Sequence, residues 1–118
     1  MGEVVEATRE NFKELVAEGV VLVDVWGPEC QPCLALNPHV TKIAEENPGI
    51  TVVKLEGPKA RRISIELKIM GMPAFLLFRD GVEVDRFAAS QMTPAQLRTW
   101  LKGALGNLPE HAEAPAGE

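Results

Sequence analysis

Cysteine is scarce in this chain: Cys30 and Cys33 are the only two among 118 residues. A disulfide framework of the kind that staples small secreted domains is thereby excluded. At this length one domain is expected, large enough to bury roughly two-thirds of its unfolded surface without a covalent clip. The cysteine pair is therefore free for chemistry. Basic clusters are missing as well. The formal net charge is −5, with no block of Lys or Arg, which argues against nucleic acid or an anionic membrane as partner and leaves room for a neutral or basic protein. Long apolar runs are absent. The stretch from Val20 to Trp26 is far shorter than the roughly 20 residues that span a bilayer. The opening Met1-Gly2-Glu3-Val4-Val5-Glu6 lacks a positive region followed by an apolar one, so no secretory signal is expected. A cytoplasmic location is the resulting expectation. There, two closely spaced cysteines point to redox or metal chemistry rather than to a structural bridge.

What the chain does have is Cys30-Gln31-Pro32-Cys33 directly after the apolar run Val20-Val21-Leu22-Val23-Asp24-Val25-Trp26. If the first cysteine opens a helix, one turn brings the two sulfurs within bonding distance. A helix N-terminus carries partial positive charge and unpaired N–H groups that favour a thiolate, and the thiolate is the reactive form of cysteine. A strand delivering such a pair to a helix start makes a dithiol suited to exchange.

The rest of the pattern alternates strands and helices. Val4 to Glu6 reads as a short strand. Thr8 is a helix N-cap, with Phe12, Leu15 and Val16 on one face and Gly19 as the stop. Val20 to Trp26 reads as a strand buried on both faces. A helix is expected from Gln31 to Asn47, with Pro38 inside it removing one N–H. Ile50 to Leu55 is a strand and Lys59 to Lys68 a helix that turns Ile63, Leu67 and Ile65 inward. Met70-Gly71-Met72-Pro73 is a stiff turn. Ala74 to Phe78 and Val82 to Phe87 form a hairpin about Asp80-Gly81. Thr93-Pro94 starts the last helix, which presents Leu97, Trp100, Leu101 and Leu105 and ends at Gly106. Residues 1–107 are expected to form one domain, and 108–118, rich in Pro, Ala, Gly and Glu, a flexible tail. The order β-α-β-α-β-α-β-β-α predicts an α/β fold: a mixed central sheet flanked by helices.

This order and its residues resemble the thioredoxin family from about residue 5 to 105. Val23-Asp24-Val25-Trp26 is similar to the family strand that carries a buried acid and a Trp. Cys30-Gln31-Pro32-Cys33 is similar to its Cys-Gly-Pro-Cys motif, with Gln for Gly. Pro38, Lys54, the Gly71-Met72-Pro73 loop and Phe78-Arg79-Asp80-Gly81 fall at the family's spacing. The chain departs from the pattern at Glu29, where Trp is usual, at Gly27-Pro28, at Leu34, and at Ala88.

The resemblance implies a thioredoxin fold and a protein-disulfide reductase that needs no cofactor beyond the Cys30–Cys33 disulfide. Cys30 is then the nucleophile that forms a mixed disulfide with a partner, and Cys33 the thiol that resolves it. Asp24 takes the proton from Cys33, and Lys54 tunes Asp24. Trp26, Glu29, Gln31, Pro32, Met72 and Pro73 contact the substrate, with Pro73 cis and Met72 offering its backbone to the partner peptide. Glu29 disfavours the neighbouring Cys30 thiolate and so favours a reductant over an oxidant. The implied partners are protein disulfides and, upstream, a thioredoxin-reductase-type flavoprotein carrying electrons to a monomer. Three other readings stay open. One is a carrier dedicated to a single reductase or peroxidase. Another is a non-catalytic binding module. The third is metal binding, or cluster binding between two copies; a structural zinc wants roughly four ligands close together, and here the two Cys stand apart from the distant His39 and His111. Asp24 can also be read as an acid reaching solvent or an ion pair, Lys54 as an exposed strand lysine, and Trp26 as core.

Overall fold

A computed structural model describes residues 3–108. Its five strands are β1 (Val4–Ala7), β2 (Val20–Trp26), β3 (Ile50–Glu56), β4 (Ala74–Arg79) and β5 (Val82–Ala88), and its helices are α1 (Phe12–Leu15), α2 (Gln31–Glu46), α3 (Arg61–Glu66) and α4 (Pro94–Gly106). The sheet runs β1-β3-β2-β4-β5. β3 pairs parallel with β1 and with β2, while β4 pairs antiparallel with β2 and β5. This is the mixed sheet that helical crossovers followed by a hairpin dictate.

β2 lies in the middle of the sheet with a strand on either side, and helices cover both its faces. Alternation then sorts its side chains. Val21, Val23 and Val25 pack with Phe12, Val16, Leu55, Ile63 and Phe78 on the α1/α3 side. Leu22 packs with Leu36, Val40, Ile43, Phe75, Leu77, Leu97 and Leu101 on the α2/α4 side. Asp24 belongs to that second face by parity and is 2% exposed. An unbroken apolar strand carrying a single acid therefore aims that acid under α2.

Turn chemistry fixes the ends. Asp80 and Gly81 both have positive φ, at 51° and 88°, as a two-residue hairpin turn requires. Asp80 also accepts from the Gly19 N–H at 2.8 Å and donates its own N–H to the Gly19 carbonyl at 2.8 Å. This pins the hairpin to the start of β2. Thr93 and Gln96 form a reciprocal capping box on α4, which satisfies two N–H groups that would otherwise lack a partner.

Two expectations need correction. The first helix is shorter than the span from Thr8 to Gly19. Thr8 Oγ1 instead accepts from the N–H groups of Glu10 and Asn11, and Asn11 Oδ1 accepts from the Thr8 N–H at 2.7 Å. That local turn occupies the residues before α1, because Thr and Asn side chains compete with the helix for backbone partners. Ile65 points outward and is 73% exposed. In the short α3, Ile63 is the residue that faces the sheet, and a residue two positions on falls on the opposite side. Leu108, the first residue of the expected tail, packs against the α2/α4 core. The rest of that tail, with His111, lies outside the described residues. Among the described residues no helix is long and apolar enough to cross a membrane.

Candidate redox site

The site forms where β2 ends and α2 begins. After Trp26 the chain turns through Gly27, Pro28 and Glu29, and the Cys30 N–H closes the turn on the Gly27 carbonyl at 3.1 Å. Cys30 is the N-cap of α2 in extended conformation, with Gln31 and Pro32 as the first helical residues. Proline suits that place because its missing N–H would have had no partner. Cys30 and Cys33 are joined by a disulfide, with Cα atoms 5.2 Å apart. Cys33 lies one turn inside the helix and is buried, whereas Cys30 is only half-buried. The Cys33 N–H donates to Cys30 Sγ at 3.2 Å. Cys30 thus stands beside an N–H donor at the positive end of a 16-residue helix, a setting that lowers the cost of a thiolate.

On the face of the sheet that α2 covers, a charged file crosses three strands. Glu6 of β1 is in register with Lys54 of β3, and Lys54 with Asp24 of β2. Burial pushes the Asp24 carboxyl up to about 7, opposed by a smaller downward pull from Lys54 and reinforced by a still smaller upward push from Glu6. A carboxyl titrating there exchanges protons readily at neutral pH. The Lys54 ammonium does not ion-pair with Asp24 among the described residues. It donates to Asn37 Oδ1 of α2 at 2.6 Å and lies over the Trp26 ring, 4.9 Å from its centroid. Trp26 is half-buried, and its Nε1 is buried with no hydrogen-bond partner among the described residues.

A second loop closes the site. The Met72–Pro73 peptide is cis, Pro73 is buried, and its carbonyl accepts from the Ala89 N–H at 3.3 Å. The Met72 N–H and C=O have no hydrogen-bond partner among the described residues. The Met72 side chain lies over Gly27, where a Cβ would come within 3.1 Å of its terminal methyl. Glycine at 27 is thus what lets the thioether lie there. Beside Met72 opens an apolar groove of about 300 Å³, lined by Gly57, Pro58, Arg61, Ile65 and Met70. Met70 is 94% exposed. Glu29 and Gln31 are exposed and Pro32 is half-buried.

The structure therefore gathers Cys30, Cys33, Trp26, Glu29, Gln31 and Pro32 at one strand-to-helix junction, and places Asp24 and Lys54 as neighbours across two strands. Asn37 and Glu6 are functional candidates that the sequence reading missed. Asn37 had a signal, since it stands four residues after Cys33 and so on the same side of the helix. Glu6 had none, because strand register is not written in local sequence. Among the described residues no group of three or more His, Cys, Asp and Glu is placed to hold a metal ion.

Comparison with known proteins converges on one family. Residues 3–103 match the family model described as Thioredoxin. The chain is 33% identical to the thioredoxin of Acetoanaerobium sticklandii over 82% of its own length and 95% of the relative's. It is 36% identical to the thioredoxin of Peptoclostridium acidaminophilum over 86% and 96%. In fold it is similar to mitochondrial thioredoxin 3 of Saccharomyces cerevisiae, with a TM-score of 0.76 at 24% identity over 85% of this chain and 94% of that one.

Proposed function

Because the chain belongs to the thioredoxin family of thiol–disulfide oxidoreductases, we propose that Cys30 is the attacking sulfur of a dithiol relay and Cys33 the resolving one. The observation that carries this assignment is the asymmetry of the pair. Cys30 caps α2 with its Sγ on the Cys33 N–H, while Cys33 is buried behind it.

The steps follow from that asymmetry. The Cys30 thiolate attacks one sulfur of a partner disulfide, and the other partner sulfur leaves as a thiolate and takes a proton from water. Cys33 gives its proton to the Asp24 carboxylate and attacks Cys30 Sγ. The second partner sulfur then leaves as a thiolate. Two electrons have passed to the partner, and the Cys30–Cys33 disulfide remains. The redox group is thus the protein's own disulfide. Asp24 suits its part because burial holds its carboxyl near 7, so a vacant carboxylate and a deliverable proton are both available at neutral pH.

Family membership supports protein disulfides as substrates and a reductase as upstream donor. A thioredoxin-reductase-type flavoprotein is the donor we infer. Substrate docking fits strand addition onto the open Met72 N–H and C=O, beside Trp26, Glu29, Gln31, Pro32 and Pro73. Glu29 disfavours the Cys30 thiolate of the reduced form and so makes the dithiol a stronger reductant. A monomer built on residues 1–107 and working in the cytoplasm completes the reading, since a reducing compartment keeps such a dithiol charged. A narrower reading, a carrier dedicated to one reductase or peroxidase, is favoured by the exposed Ile65 and Met70 beside the groove, an apolar rim of the kind that marks partner surfaces.

Trapping tests the assignment. Cys33→Ser is expected to accumulate mixed disulfides through Cys30, and Cys30→Ser to accumulate none. Capture through Cys33 instead would reverse the roles. Equal non-covalent binding by both variants, with no capture, would make the protein a docking module.

A further inference from the structure

The Lys54 ammonium has two possible seats. One is ion-pair contact with the Asp24 carboxyl, its in-register neighbour across β2 and β3. The other is the seat it occupies, with Asn37 Oδ1 at 2.6 Å and the Trp26 ring beneath it. A lysine is a flexible point charge on a four-carbon stem, so what decides between the seats is the acceptor offered at each. Asn37 offers a neutral oxygen from α2, a helix seated on the sheet by its buried Leu36, Val40 and Ile43. We propose that Asn37 is a positioning residue: its side-chain oxygen keeps Lys54 parked against Trp26 and out of ion-pair contact with Asp24, so that Asp24 retains a proton affinity suited to exchange with Cys33. The catalytic meaning of this rests on Asp24 being the acceptor for Cys33; the positioning itself does not.

Among the described residues, Lys54 is the one cation whose charge acts on Asp24. From β3, Lys54 faces it. From β1, Glu6 stands on the far side of Lys54. Glu56, two residues along β3 on the same face, is paired with Lys59 at 3.9 Å. β4 places the uncharged Phe75 opposite Asp24. α2 contributes the two cysteines, which are bridged in the oxidised protein and do not titrate. An opposite charge that closes from neighbouring distance to contact favours the ionised carboxyl. Freeing Lys54 therefore lowers the pH at which Asp24 titrates, and fixing it elsewhere keeps that pH high.

The test is a carbon-13 carboxyl titration of Asp24 in the oxidised full-length protein. In Asn37→Ala the midpoint is expected to fall by about one pH unit or more. Asn37→Asp retains an acceptor oxygen and is expected to leave the midpoint at or above its native position, which general loosening of the helix would not do. On a Lys54→Met background, Asn37→Ala is expected to change nothing. An unmoved midpoint in Asn37→Ala overturns the proposal, and so does a fall that persists without Lys54. The pH profile of mixed-disulfide resolution by Cys33 is read in parallel. If the titration moves and this profile does not, the positioning stands and the assignment of Asp24 as acceptor falls.

Discussion

Replacing Asp24 with Asn is expected to stabilise the protein at alkaline pH far more than in acid. The native carboxyl titrates near 7 against 3.8 for a free one, with burial as the main cause. Between those values the unfolded chain has released a proton that the folded chain still holds. The folded state then binds more protons, so stability falls as pH rises through this window. Below about pH 4 both states are protonated and nothing is lost. Above about pH 7 both are ionised and the whole cost of a buried carboxylate is present. About three pH units at 1.36 kcal/mol each give a cost of about 4 kcal/mol at pH 8.5 and about 1 kcal/mol at pH 4.5. Asn has the shape of the protonated acid and carries no charge, so Asp24→Asn should recover those amounts. The assay is urea unfolding of the oxidised proteins at the two pH values. With a slope of about 2 kcal/mol per molar urea, the variant's midpoint should exceed the parent's by about 2 M at pH 8.5 and by about 0.5 M at pH 4.5. A gap of the same size at both pH values would refute the reasoning, because it would mean the gain came from packing and not from relieving a charge. Activity should move the other way. On the proposed relay the variant is expected to resolve mixed disulfides more slowly, because it removes the proton acceptor proposed for Cys33.

Two further substitutions probe the rim of the site. Glu29→Gln removes the negative charge beside Cys30 and is expected to raise the thiolate fraction of the reduced protein, seen as faster alkylation of Cys30 by iodoacetamide at neutral pH and low salt; an unchanged rate removes Glu29 from the account. Gly27→Ala places a Cβ against the Met72 thioether, which has a flexible end and moves aside. Stability should change by less than about 1 kcal/mol, while the KM for a protein disulfide rises and turnover of a small aromatic disulfide holds. Equal effects on both substrates would show that Met72 does not contact the partner.

Much of this protein is written locally. The β-branched run from Val20 to Trp26 demands burial on both faces. Asp80-Gly81 requires positive φ at both positions and makes a hairpin. Thr93-Pro94-Ala95-Gln96 is a helix start, and Cys30-Gln31-Pro32-Cys33 announces a dithiol at another. These are decided within a few residues by backbone sterics and by which side chain can satisfy a free N–H, so a single pass along the chain finds them. Elsewhere the neighbours in space decide. Thr8 looks like the cap of a long helix, yet its exchange with Asn11 turns the chain and leaves only Phe12–Leu15 helical. Ile65 looks like a core residue, yet a short α3 commits its inner face to Ile63. The charged file of Glu6, Lys54 and Asp24 depends on the register of three strands far apart in sequence. The placing of Lys54 on Asn37 depends further on how α2 crosses that sheet. Sequence alone determined the chemistry available to this protein, because two cysteines at one helix start require nothing distant. Only the tertiary structure decided how that chemistry is tuned, because a pKa follows from which charges burial and register bring together.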